Sequence, residues 1–353
     1  MESNHQRKLK ILIVLGSGAW GGGEKHCVDI INGLSAEFSF ILIHSPGEKI
    51  EKKLSTEEIV RYEFPLQLYP SPTRLMNFVK LIKQINPDLI HSHLNRAQLY
   101  LSLTKNKIKQ PWISTVHGFT GQMYNLRPNH LICVSKAIQK DLWSPLRRKS
   151  TLIYNGIKPF PCETKTQNPT PKQSNKIPKA MVLATLHPNK GQLFVCKALS
   201  KYKPSVEISL IGTGKLEYIQ KIKETIKFNP NIQLINELNK TVYNLYRTVD
   251  FVIVPSYKEA LSYVALESLA EEIPVLASKT GGLCEIIDDG FNGLLFETGN
   301  AASFRSTLTK MINNVDSYKQ NLKSEPFLTK NPQFKMDSML KNLSTIYNKL
   351  MNK

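Results

Sequence analysis

Short apolar runs alternate with amphipathic stretches from one end of the chain to the other. The first run, residues 9–15, reads as a strand; a glycine-rich stretch follows, then an amphipathic helix over about 24–34. Further strands are expected at 38–43, 59–64, 89–91, 112–116, 131–134 and 152–154, with helical patterns such as 73–85 and 96–107 between them. Residues 158–178 break the rhythm. Pro159, Pro161, Pro169, Pro171 and Pro178 stand there among Thr, Gln, Asn and Lys with almost no apolar periodicity, the composition of an interdomain linker. The pattern then restarts, with strands expected at 180–184, 206–211, 232–235, 251–254 and 274–277. A last helix over about 334–350 places Met339, Leu343, Ile346 and Leu350 on one face. Alternation of this kind predicts parallel sheets covered by helices. The expected fold is α/β, with two doubly wound Rossmann-like domains facing across a cleft. The first domain spans 1–157, the linker 158–178, the second domain 179–333 and a terminal segment 334–353.

The bulk numbers agree with two domains. The chain has 353 residues, 41% of them hydrophobic and 21% charged, enough apolar material for real cores and too little charge for disorder. Five cysteines, Cys27, Cys133, Cys162, Cys196 and Cys284, are scattered and odd in number, with no Cys-x-x-Cys pair. Neither a disulfide frame nor a thiolate zinc site is indicated, and a reducing compartment fits. The run Ile11 to Leu15 is too short for a signal-peptide core or a membrane span. A cytoplasmic protein is expected, with peripheral attachment to the inner face of the cytoplasmic membrane as an extension. The net charge of +19 admits three partner classes: nucleic acid, anionic lipid and small anionic substrates. Zinc-finger and RNP-type aromatic motifs are absent from the sequence, and the lysines are spread rather than gathered in one arm.

The most informative stretch is Pro255-Ser256-Tyr257-Lys258-Glu259-Ala260-Leu261-Ser262-Tyr263-Val264-Ala265-Leu266-Glu267. Leu261, Ala265, Leu266 and Leu269 recur at helical spacing, so a loop turns here into a helix. Glu267 falls in that helix and Glu259 at or before its first turn. Eight helical residues rise roughly 12 Å, comparable to the sugar-to-ribose span of a nucleotide-sugar. A carboxylate accepts two hydrogen bonds from a vicinal diol. The backbone N–H groups at the helix start, around Ser262, Tyr263 and Val264, suit a diphosphate.

Other loops fall at the carboxyl ends of predicted strands, where open parallel sheets bind ligands. Gly16-Ser17-Gly18-Ala19-Trp20-Gly21-Gly22-Gly23-Glu24 opens a helix, and its glycines permit close backbone approach; its register as a dinucleotide fingerprint is poor. Gly212-Thr213-Gly214 follows a strand of the second domain and can host a nucleotide or simply turn the chain. Gly281-Gly282 precedes a helix carrying Glu285. His117, backed by Gly118, ends a strand of the first domain. His91 and His93 stand one apart at another strand end; no third ligand is evident in the sequence, so no metal site is assigned. Lys190, after the first strand of the second domain, can offset charge on a leaving diphosphate. There is no Asp-x-Asp element for a Mg²⁺ clamp.

Taken together these loops resemble glycosyltransferase family 4, the retaining nucleotide-sugar enzymes of GT-B fold, over nearly the whole chain. Glu259 to Glu267 looks like the family's E-x7-E signature, and Ile273 to Ala277, Gly281-Gly282 with Glu285, and Gly290 to Leu295 follow in family order. Val134-Ser135, Asn155-Gly156-Ile157, Lys190-Gly191, Gly212-Thr213-Gly214, and Asp250 with Pro255-Ser256 also match. The resemblance implies that Glu267 holds the ribose, Glu259 binds the donor sugar and Lys190 neutralises the diphosphate. It places Gly22 and Gly23 near the phosphates or sugar, puts His117 near the donor sugar, and returns the last helix to the first domain. It implies transfer, with retention, from a nucleotide-diphosphate sugar to a glycan or lipid-linked acceptor, as in cell-surface polysaccharide or lipopolysaccharide synthesis. No metal or other cofactor is implied.

Two positions depart from the family pattern. Thr185 stands where an arginine is usual, five residues before Lys190, so one phosphate-binding cation is missing. Ala260 and Ser262 replace glycines after the first glutamate, and Ser262 can cap the helix. Three alternatives stay open at this level: a non-hydrolysing nucleotide-sugar epimerase of the same fold, a basic nucleic-acid-binding protein, and an inactive scaffold.

Overall fold

The computed structural model describes residues 7–16, 20–46, 50, 53–55, 59–119, 121–160, 177–236 and 242–351. Residues 17–19 of the first glycine loop and 161–176 of the expected linker lie outside the described residues. The chain divides into two compact units, Met1–Gly156 with Met336–Lys353, and Ile157–Lys335.

The first unit is built on seven strands: β1 (Lys10–Leu15), β2 (Ser39–His44), β3 (Val60–Glu63), β4 (Leu89–His93), β5 (Trp112–Val116), β6 (His130–Cys133) and β7 (Ser150–Leu152). All pairings are parallel, in the order β3-β2-β1-β4-β5-β6-β7. Strands buried on both faces need apolar residues at successive positions. In β1, Ile11, Ile13 and Leu15 enter one core and Leu12 and Val14 the other. The first core is closed by the helix Gly22–Leu34 and by the terminal helix Met336–Met351, which contributes Met336, Met339, Leu340, Leu343, Ile346 and Tyr347. The second lies under the helices Pro72–Ile85 and Leu94–Thr104.

The second unit repeats the plan with β8 (Lys179–Leu183), β9 (Glu207–Ile211), β10 (Ile232–Ile235), β11 (Phe251–Val254), β12 (Val275–Ser278) and β13 (Gly293–Phe296), ordered β10-β9-β8-β11-β12-β13. β13 has no counterpart among the strands expected from the sequence, because it opens on a glycine inside a turn-like stretch. That glycine is required: a Cβ on Gly293 would lie 2.1 Å from the Val275 carbonyl oxygen of the neighbouring strand. The long helix Ala301–Ser324 then buries Phe304, Leu308, Met311 and Val315 in the core of this unit.

Both sheets reverse their winding direction at one place, between β1 and β4 in the first unit and between β8 and β11 in the second. The loops leaving the carboxyl ends of those strands diverge and leave a crevice there. The candidate chemistry of each unit gathers at that point.

Candidate functional site

In the second unit, the loop after β8 carries Lys190 and the loop after β11 carries Glu259. A short helical turn, Pro188–Lys190, ends at Gly191 with φ +73°. A side chain at Gly191 would be strained by that backbone and would meet the Pro255 carbonyl oxygen at 2.0 Å, so glycine lets the two loops touch. Asn189 fastens the contact: Tyr257 N–H donates to its carbonyl at 2.8 Å, and its side-chain amide donates to the Lys258 carbonyl at 2.9 Å.

Lys190 Nζ therefore reaches Glu259 Oε2 at 2.8 Å. Ser256 Oγ donates to the same oxygen at 2.8 Å. The Glu259 carboxylate is nearly buried, with 10% of its side chain exposed against 32% for Lys190. From behind, the Gly282 N–H donates to the Glu259 carbonyl at 2.9 Å. A Cβ on Gly282 would sit 2.2 Å from the Ala260 carbonyl oxygen, so glycine is needed for this approach too.

The helix that follows is Tyr263–Ala270, with Ser262 as its N-cap accepting from the Ala265 N–H at 3.2 Å. Glu259 thus precedes the cap, and the Glu259-to-Glu267 spacing is only partly a helical rise. The helix start places the positive end of its dipole at Tyr263 and Val264. One turn on, Glu267 Oε2 accepts from the Tyr246 hydroxyl at 3.0 Å. Burial, reinforced by the Glu267 charge, holds the Tyr246 phenol well above its usual pKa.

The loop Gly212-Thr213-Gly214 lies beside the Lys190 loop. Leu186 N–H donates to the Thr213 carbonyl at 2.7 Å, and Leu186 and Gly214 form an isolated parallel bridge. The Gly212 N–H is engaged by the Ile235 carbonyl at 3.1 Å, so it does not point to a ligand. Thr185, at the position of the missing arginine, uses its carbonyl to accept from the Gln192 side chain. The next residue after Gly214 is Lys215, exposed at the start of the helix Leu216–Ile226.

In the first unit, Gly22 and Gly23 begin the helix Gly22–Leu34. Gly23 lies against Leu94: a Cβ there would meet Leu94 Cδ2 at 2.7 Å. The first turn also carries Glu24, only 6% exposed. A buried acid at this helix start makes it a better partner for hydroxyls than for a diphosphate.

His117 leaves the end of β5, and there the structure departs from the expectation of two isolated strand-end histidines. His93 Nδ1 lies 3.1 Å from His117 Nε2, and His26, from the helix Gly22–Leu34, packs against both rings at 5.5 and 5.1 Å between centroids. His26, His93 and His117 each offer one ring nitrogen within 4.8 Å of the others. His91 is outside the group: its ring nitrogens bond the hydroxyls of Tyr347 and Thr115, both at 2.7 Å. Burial is the main reason that all four imidazoles titrate low. It pushes His91 down to about 3 and His117 to about 4, and with their neighbours' charges holds His26 and His93 well below the usual range. The histidine trio was not legible because His26 sits on a helix at a position that reads as core. Its signal is the buried face it shares with Cys27, Ile30 and Ile31.

Two parallel doubly wound sheets with loops of this kind define the GT-B class of two-domain α/β glycosyltransferases. Residues 20–159 match the model of glycosyltransferase family 4, and residues 164–324 match glycosyl transferases group 1. The chain is a glycosyltransferase of this group 1, family 4 type. An uncharacterized glycosyltransferase of Methanocaldococcus jannaschii is 28% identical over 319 residues, 84% of this chain and 86% of the relative. Crystal structures of Anabaena HepE share the fold; the one with UDP and glucose has a TM-score of 0.80 at 18% identity, over 97% of this chain and all of that one. Sucrose-phosphate synthase of Thermosynechococcus elongatus reaches 0.80 at 16% identity, over 98% of this chain and all of that one. Among the described residues no helix is long and apolar enough to cross a membrane.

Proposed function

We propose that the chain transfers a hexose, with retention of configuration, from a nucleoside-diphosphate sugar to a glycan or lipid-linked acceptor. The observation that carries this reading is the cluster of Lys190, Glu259 and Ser256 at the winding switch of the second sheet. There a cation and a hydroxyl-binding carboxylate stand side by side, as the diphosphate and sugar of one donor require. The Anabaena HepE structures, which hold UDP and glucose or UDP-glucose, support a uridine donor as the first to test.

In this reading Lys190 takes charge developing on the leaving diphosphate, and the start of the Tyr263–Ala270 helix takes its oxygens. Glu259 accepts from hydroxyls of the donor sugar. Glu267, oriented by Tyr246, accepts from the ribose diol. Lys215, brought beside the Lys190 loop by the Leu186–Gly214 bridge, supplies the cation that Thr185 lacks. Lysine and helix dipole together neutralise the diphosphate without a metal. In the first unit, His117 and the Gly22-Gly23 turn serve the sugar and acceptor. The net charge of +19 supports cytoplasmic placement at an anionic membrane face, where lipid-linked acceptors reside.

The experiment is a thermal-shift screen against UDP-, GDP- and ADP-sugars, followed by NMR of a donor-only incubation. The donor should raise Tm in proportion to affinity and concentration. Absence of any shift across the panel contradicts the reading, and interconversion of the donor to its epimer without acceptor favours an epimerase.

A further inference from the structure

We infer that His26, His93 and His117 form a binding site for a transition-metal ion of the zinc class, and that a metal bound there inhibits transfer. Three neutral imidazoles, with a fourth position left to solvent, are a ligand set zinc accepts. The metal-binding claim stands independently of the donor reading; only the inhibition rests on it, through the role given to His117.

The geometry is close to what the ion needs. Two nitrogens on one zinc stand at most about 4.2 Å apart, given Zn–N bonds near 2.1 Å. The three candidate nitrogens already lie within 4.8 Å of one another, and tetrahedral sites with such bonds hold their nitrogens about 3.4 Å apart, so closing the site takes about 1.4 Å at most.

Unmet hydrogen-bonding capacity points the same way. Neither ring nitrogen of His26 has a well-formed hydrogen bond, and Nε2 of His93 is likewise buried without one. Both residues are fully buried. Buried polar atoms are normally paired, and leaving three nitrogens unpaired is costly unless something else satisfies them. Asn155 lies beside His26, with its own Oδ1 buried and unpaired, and can accept from the His26 nitrogen that does not ligate.

Rigid surroundings hold the trio in place. His91, fixed between Tyr347 and Thr115, packs tilted against His93 with 4.1 Å between ring centroids. His93 is the last residue of β4 and the N-cap of the Leu94–Thr104 helix. His117 is the one half-buried member of the trio. A metal there holds the imidazole that the proposed reaction uses.

The test uses the full chain, stripped with chelator and titrated with Co²⁺, whose visible d–d bands report an ordered nitrogen ligand sphere. One equivalent should bind, and Zn²⁺ should displace it. His93→Gln and His117→Asn should each weaken binding by at least about tenfold, the loss seen even for outer-sphere partners. His130→Gln should leave it unchanged, since His130 bonds Thr151 elsewhere on the sheet. If His93→Gln fails to fold, half-buried His117→Asn carries the test. Zn²⁺ should also slow turnover of whichever donor the screen identifies, and chelator should restore it. No cobalt bands with metal in excess, or bands that survive in the foldable variants, overturn the site. Intact binding with unaffected turnover overturns the inhibitory role alone.

Discussion

Lys190 and Glu259 are joined by an ion pair 2.8 Å long. The carboxylate partly neutralises the cation that a diphosphate would seek. Removing that competition should strengthen product binding. Glu259→Gln is expected to bind UDP about fivefold more tightly, a gain of about 1 kcal/mol, the worth of a partly exposed pair, while losing transfer. Isothermal titration reads the affinity; weaker UDP binding in this variant would show that the pair does not restrain Lys190.

The opposite change exposes the other half of the pair. Lys190→Met leaves a nearly buried Glu259 with Ser256 as its hydroxyl donor. Unfolding in urea should show a loss of about 1–3 kcal/mol, the cost of a buried polar group short of a partner. Unchanged stability would mean that water solvates Glu259 more freely than its burial indicates.

Much of this site was legible in the sequence, and the residues show why. Glu259, Glu267, Lys190 and the glycine loops lie in short segments whose order survives in the primary chain, so the ordered motifs of the family resemblance collect them where spacing alone does not. Each expected strand appears within a residue or two of its pattern, because strands buried on both faces are written as apolar runs. What sequence could not show was pairing across distance. Lys190 on Glu259, Tyr246 on Glu267 and His26 on His93 join separate elements of the chain, and their partners follow from strand order. Strand β13 was hidden for a local reason: Gly293, demanded by the neighbouring carbonyl, reads as a turn.

Tyr246 offers a separation of binding from chemistry. Its hydroxyl donates to Glu267, which the proposal assigns to the ribose. Tyr246→Phe should raise donor KM about fivefold, one hydrogen bond of about 1 kcal/mol, with kcat nearly unchanged. Steady-state kinetics on the identified donor decides; an equal fall in kcat instead would place Glu267 in the reacting region.

Lys215 can be tested against the arginine that the chain lacks. Lys215→Ala should raise donor KM several-fold, and Thr185→Arg in that background should bring it back. Failure of Lys215→Ala to alter KM would leave Lys190 and the helix start as the whole of the phosphate site.

The buried imidazoles make the first unit sensitive to acid. Their folded pKa values are depressed, so the folded state refuses protons that the unfolded chain binds. Stability is therefore complete above the unfolded value near 6.5 and is lost as pH falls toward the folded values, about 3 for His91. Each such histidine adds a slope approaching about 1.4 kcal/mol per pH unit. Urea midpoints measured from pH 7 to about pH 5 should fall, and His91→Gln should flatten the fall by about one histidine's share. A His91→Gln profile parallel to wild type would contradict the assignment.

The central claim is that Lys190 and Glu259 together hold and activate a nucleotide-sugar. Nucleoside-diphosphate release from the identified donor, catalysed by wild type, Lys190→Ala and Glu259→Ala at matched folded concentration, tests it most directly. The expected result is a fall of about a hundredfold or more in kcat/KM for each, the scale of losing one preorganised electrostatic contact. Release at the wild-type rate by either folded variant would contradict the claim.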